Sequence, residues 1–188
     1  MKNHLALATA TLLFGFVISA PAQKQSSGGS TPSDPQIVGI VTAANQIDID
    51  SSKLALQKSK DSQVKQFAQQ MIDDHSNLQK SVDDLGKKLN VTPAPSATSK
   101  SLKTQAAAEM KKLRALHGKA FDKEYVNHEV AFHQQVIDAA GKVLIPNAQN
   151  AELKSALQGA APLLQGHLEH AQQLKSSMSG SSSSGAGK

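Results

Sequence analysis

Apolar residues recur along this chain at spacings of three and four and never alternate over a sustained stretch, which predicts amphipathic helices and no strands. The first helix is expected from Asp34-Pro35, with Asp34 as N-cap and the proline harmless in the first turn. Its stripe is Ile37, Ile40, Val41, Ala44, Ile47, Ser51, Leu54 and Ala55, with Asp48 on the stripe and Asp50 at its border. After a break near Lys60, Asp61 or Ser62 caps a second helix whose stripe runs Val64, Phe67, Ala68, Met71, His75, Leu78, Val82, Leu85 and Leu89.

Pro93 and Pro95 deny the next segment helical hydrogen bonds, so residues 90–100 are read as a connection across the end of a bundle. Leu102, Ala106, Met110, Leu113 and Leu116 mark a shorter helix that stops near Gly118. A longer one follows from about Lys119 to Val143, with two apolar rows. Phe121, Tyr125, His128, Phe132 and Val136 form one; Val126, Glu129, Val130, His133, Ile137 and Ala140 form the other. Asn150 caps a last helix through Leu153, Leu157, Ala160, Leu163, Leu164, His167, Leu168, Ala171 and Leu174, in which Pro162 is expected to introduce a kink or a division. The fold class is all-α.

The ends read differently. Lys2, the apolar run Leu5 to Ile18 and Ala20-Pro21-Ala22 make residues 1–22 a signal peptide, and the run is shorter than the roughly 18 to 20 residues that span a bilayer. Residues 23–33 are read as a flexible linker, 34–178 as the helical domain and 179–188 as a disordered Gly/Ser tail. No transmembrane span is expected after cleavage, so the mature chain is placed in the periplasm or at the outer membrane. It has no cysteine, hence neither a disulfide nor a lipid-anchoring thiol.

Charge narrows the function classes. The formal net charge of +5 is spread as lysines interleaved with aspartates, the pattern of solvated helix faces. A chain with one arginine and one tyrosine lacks the clustered contacts of a nucleic-acid surface. Without a glycine-framed serine before a helix, or aromatics to hold a sugar, hydrolase chemistry has no foothold. The expected partner is an envelope protein or surface, with the oligomeric state open.

The remaining chemistry lies in polar residues on apolar stripes. Glu129 and His133 are four apart, His167 and His170 three apart, and His75 with Asp48 or Asp74 adds the other long helices. Imidazole ligands suit zinc, copper, nickel or iron, and facing helices are how bundles assemble such centres. The same residues also suit a metal-free polar core, with His75 and His133 tied through Asp48, Asp74 or Tyr125. His128 is read as a surface or subunit contact as readily as a site residue, and His117 as a helix-end residue.

The run Val64-Lys65-Gln66-Phe67-Ala68-Gln69-Gln70-Met71-Ile72-Asp73-Asp74-His75 is shared with a known family, as are Phe121-Asp122-Lys123-Glu124-Tyr125, His133-Gln134 and His167-Leu168-Glu169-His170-Ala171. From about Pro35 to Leu174 the chain resembles the exported bacterial family labelled domain of unknown function 4142, whose members often carry the name "predicted outer membrane protein". The resemblance implies a ferritin-like antiparallel four-helix bundle with a short extra helix in the crossover, and no established reaction. The family's recurring acidic residue corresponds to Asp48, where Glu is common, and its recurring histidines to His75, His133 and His167. Phe132 stands where the family has the Asp of an Asp-His pair.

Di-iron bundles carry Glu-x-x-His on two helices. Here Ile72, Val130 and Leu164 stand three before the histidines, so any metal site is expected to be mononuclear and histidine-rich. The candidate ligands are His75, His133, His167, Asp48, Glu129 and His170. The expectation is a non-catalytic binding or structural module, with a metal-free envelope interaction or stress protein as the alternative.

Overall fold

The computed structural model describes residues 31–180, and among them there are five helices and no strand. They are α1 (Asp34–Lys58), α2 (Ser62–Leu89), α3 (Ala97–Ala115), α4 (Gly118–Ala139) and α5 (Ala151–Gly180). α4 is prolonged by one wide π turn, Ala140–Leu144, and a last α turn, Ile145–Asn147. The expected signal peptide, most of the linker and the tail from residue 181 lie outside the described residues. Helix α5 runs two residues into the segment read as tail.

α1 packs chiefly against α2 and α4 against α5, giving two helical hairpins laid together as a four-helix bundle, with α3 crossing over α1. No described helix is long and apolar enough to cross a membrane.

Local chemistry sets the ends. Asp61 accepts from the backbone N–H of Gln63 and Val64, and Asn150 Oδ1 from those of Glu152 and Leu153, which satisfies first-turn donors of α2 and α5. α2 ends at Asn90 in the left-handed region (φ 54°), where Val91 N–H returns to Gly86 O at 2.8 Å.

Two expectations need correction. Ser33, not Asp34, is the N-cap of α1, and Gln36 Oε1 reaches back to its N–H at 3.0 Å. Asp34 instead accepts from the N–H groups of Gln149 and Asn150 at 2.8 and 2.9 Å, tying the start of α1 to the α4–α5 turn. Pro162 does not divide α5, because it lies on an exposed face where water can take the carbonyl bond that the proline cannot.

The core falls into two apolar clusters. One gathers Val64, Phe67, Met71, Phe121, Tyr125 and Ala171; the other gathers Ile37, Ile40, Leu102, Phe132, Leu144 and Leu153. Each fully buried large side chain contributes about 1.5–3 kcal/mol. Along the four long helices most of the buried polar residues, Asp122 excepted, gather where these clusters meet, so the middle of the bundle is its most polar part.

The crossover is held by a close backbone approach. Ala94 N–H donates to Pro35 O at 2.8 Å, and a Cβ added at Gly39 would stand 2.2 Å from Ala94 O. Both sides of that contact are backbone. Gly39→Ala should therefore cost about 1–3 kcal/mol by forcing the segments apart, lowering Tm by several degrees in calorimetry; an unchanged Tm would show that the crossover yields freely.

Candidate metal centre

The middle layer is built from one to four side chains on each long helix. α1 supplies Asn45, Asp48, Ser51 and Ser52; α2 supplies His75; α4 supplies Tyr125, Glu129 and His133; α5 supplies His167. Spacings of three and four keep each set on one face. Asp48, His75, Glu129, His133 and His167 are all at most 2% exposed.

His75, His133 and His167 each bring one ring nitrogen to within 4.8 Å of the others'. Their ring centroids are 5.2 to 5.6 Å apart. Asp48, Glu129 and His133 form a second such group, which has His133 in common with the first. Of the six candidates only His170 stands apart. Its Nδ1 lies 3.1 Å from Gln70 Oε1 and its ring packs edge-on against Phe67, half-buried at the bundle surface.

The proton positions follow from the outward bonds. His133 Nδ1 lies 3.0 Å from Glu129 O, a carbonyl that can only accept, so Nδ1 carries the proton. His167 Nε2 faces the Asp74 carboxylate at 2.9 Å and donates likewise. For His75 the polarity is relayed. Gln79 Nε2 donates to Asp83 Oδ1 at 2.8 Å, Asn45 Nδ2 donates to Gln79 Oε1 at 3.3 Å, and Asn45 Oδ1 therefore accepts from His75 Nδ1 at 3.1 Å. The nitrogens left over are His75 Nε2, His133 Nε2 and His167 Nδ1, each buried without a hydrogen-bond partner among the described residues. In the neutral rings all three are lone pairs.

Burial keeps those rings neutral. Desolvation, then the neighbouring imidazoles, lowers His75 to about 3, and desolvation with His167 lowers His133 to about 4. His167 is also pushed down, mainly by burial, against the opposing pull of Asp74. The carboxyls move the other way. Burial raises Glu129 to about 7, and burial with the adjacent Glu129 raises Asp48 well above the usual carboxylate range. Ser51 Oγ stands 3.0 Å from Glu129 Oε1, while Asp48 Oδ1 and Glu129 Oε2 have no partner among the described residues. Asp48 Oδ2 lies 3.5 Å from His75 Nε2, too far to count as a hydrogen bond between them.

Such a donor set fits a metal ion: neutral imidazoles, nearby carboxylates, and an outward acceptor orienting each ring, the arrangement typical of ligating histidines. The outer partners were only partly foreseen from the sequence. Asn45 was missed, although it lies three residues before Asp48 on the same face; Asp74 acts from outside the cluster, on His167; and Tyr125 bonds Ser52 at 2.8 Å, not a histidine. His128 is half-buried and stacks on Phe132, and His117 is the exposed N-cap position of α4.

The family model described as domain of unknown function (DUF4142) matches residues 19–174, and the chain belongs to that family. No curated protein matches it. Among solved structures, a Streptomyces coelicolor chain described as a secreted DUF305 protein is similar, with a TM-score of 0.65 and 15% identity, covering 77% of this chain and 92% of that one. The protein CopM in its Cu(II)-bound form is also similar, with a TM-score of 0.59 and 18% identity, covering 77% of this chain and 98% of that one. These likenesses show a shared helical-bundle fold.

In the metal-free protein the two kinds of group pull stability in opposite directions. His75 and His133 fold with pKa values near 3 and 4 but unfold toward 6.5, so their contribution is full above 6.5 and lost as pH falls toward 4. Glu129 folds near 7 and unfolds toward 4.5, so its contribution is full below 4.5 and lost as pH rises through 7. Each is worth about 1.4 kcal/mol per pH unit inside its window. Between pH 6.5 and 5 the three histidines of the layer, His167 included, outnumber its two carboxyls, Glu129 and Asp48, and Tm should fall. Glu129→Gln, which keeps the Ser51 contact and removes the opposing group, should steepen that fall in calorimetry; a slope equal to that of the wild type would show that Glu129 does not hold its proton.

Proposed function

We propose that this DUF4142 member is an exported, non-catalytic binding module that holds one divalent transition-metal ion in its core, with copper preferred. The observation that carries the reading is the convergence of three imidazole lone pairs, each ring having its proton committed outward. His75, His133 and His167 are the ligands. Asp48 and Glu129 stand close enough to complete the shell and balance the charge.

Copper is favoured because Cu(II) heads the affinity order of divalent first-row ions at nitrogen and oxygen sites. CopM, whose fold is similar, binds Cu(II), which supports the same preference here. The secreted DUF305 neighbour and the expected signal peptide support export to the periplasm or the outer membrane. The absence of Glu-x-x-His partners argues for one ion over a bridged pair.

The metal-free polar core remains the competing reading. Its weak point is that the three inner nitrogens make no hydrogen bond to one another or to Tyr125.

Full-length mature protein without a histidine tag, stripped with chelator and titrated with Cu(II), should take up one equivalent at this site, and nitrogen couplings should appear in its electron paramagnetic resonance. Free copper at about 100 times Kd should add roughly 2.7 kcal/mol to stability. His133→Ala and His167→Ala should each abolish both effects. Absence of saturable binding with copper, zinc and nickel alike, or full binding in a variant carrying both substitutions, would overturn the proposal.

A further inference from the structure

The seam between the two hairpins holds more than the histidine layer. A cavity of about 160 Å³ extends from that layer into the end of the bundle around Val38 and Ile40. Its walls are aliphatic, with Val82, Leu85, Leu144, Leu153 and Leu157 among them, and its inner polar end is formed by Asp48 and His75. The space exists because alanines occupy inward positions where neighbouring turns carry leucine or isoleucine. They are Ala44 on α1, Ala140 at the start of the π turn and Ala160 on α5. Ser81 on α2 and Ala156 on α5 line the cavity and are exposed, so it reaches solvent between those helices.

We infer that this cavity binds a small, mostly apolar molecule, about one aromatic ring in size, whose single hydrogen-bonding group points at Asp48 and His75. The size argument is direct, since an aliphatic cavity of about 150 Å³ stays dry and accepts benzene. Water is a poor occupant of the inner walls because each molecule needs two to four polar partners, and aliphatic side chains offer none. The polar end is equally specific: Asp48 Oδ1 and His75 Nε2 are buried there without partners among the described residues. The π turn that places Ala140 and Leu144 on the wall is a deviation found frequently at functional sites. The inference goes beyond metal binding and does not depend on it: the aliphatic walls lie outside the imidazole cluster, and only the polar end, Asp48 and His75, is shared with the proposed metal site.

The test uses the metal-free, full-length mature protein, with phenol and benzene as probes and the methyl resonances of Ala44, Ala140 and Ala160 as the readout. Both probes should give saturable shifts at millimolar concentration or below, with phenol at least about threefold tighter. Ala140→Leu should fill the cavity and weaken phenol about tenfold or more, while Cu(II) uptake is unchanged; Ala44→Leu serves if that variant does not fold. Absence of saturable shifts with either probe, or unchanged phenol affinity in a folded leucine variant, would overturn the inference. Equal affinity for phenol and benzene would overturn the polar-end assignment. Phenol binding that persists when copper uptake fails would separate this inference from the metal reading.

Discussion

Three neutral imidazoles cannot satisfy one another once each has committed its only proton outward. That is the constraint around which this bundle is arranged. Glu129 O, Asp74 and the amide relay from Asp83 through Gln79 and Asn45 each take an N–H, and three lone pairs are left facing the same small volume. A buried acceptor without a donor costs roughly 1–3 kcal/mol. An electrophile would complete the group, and a transition-metal ion is the one proposed. The outer partners are therefore part of the site, because reversing any one of them would turn a lone pair into an N–H.

The same electrophile resolves a problem of charge. Asp48 and Glu129 are almost completely buried side by side, and two bare carboxylates in a low-dielectric core repel each other besides losing their hydration. Retaining protons is one solution, and the raised pKa values express it. A divalent cation among the three imidazoles is the other, since its charge inverts the local preference and makes ionised carboxylates favourable. Polar and acidic residues that look ill-suited to a core thus become mutually consistent around one positive centre.

How much of this was legible in the sequence depended on the length scale of each feature. The helices, the crossover and the placing of His75, His133, His167, Asp48 and Glu129 inward all follow from spacing, because a period of 3.6 fixes which side chains share a face. What spacing does not contain is partnership between helices. Asp34 looks like a cap locally, yet its carboxylate serves backbone donors at residues 149 and 150, a contact that exists only after the hairpins meet. His170 lies three residues beyond His167, about 60° short of a full turn, and that offset carries it out to Gln70. Asn45 was missed for the opposite reason: an amide on a stripe is conspicuous only when its acceptor role toward His75 is known. The π turn leaves no signal in an apolar run, since it arises from one extra residue absorbed without a change of residue type.

The polar layer also sits where the bundle most needs a tie. Each hairpin packs well within itself, whereas the contacts that cross the seam in its middle are largely polar: Ser51 with Glu129, Ser52 with Tyr125, and Asp74 with His167. Beside them lies the 160 Å³ cavity, whose wall side chains forgo the packing contacts that a filled core would give them. Alanines at Ala44 and Ala140 keep the space open although larger aliphatic side chains would close it. A metal drawing ligands from both hairpins would clamp the seam that the cavity weakens, so occupancy of the centre and stability of the fold are linked through the same layer of side chains. Selection for stability alone would fill the cavity and replace the acids; the proposed metal and the proposed cavity ligand account for a seam that retains both.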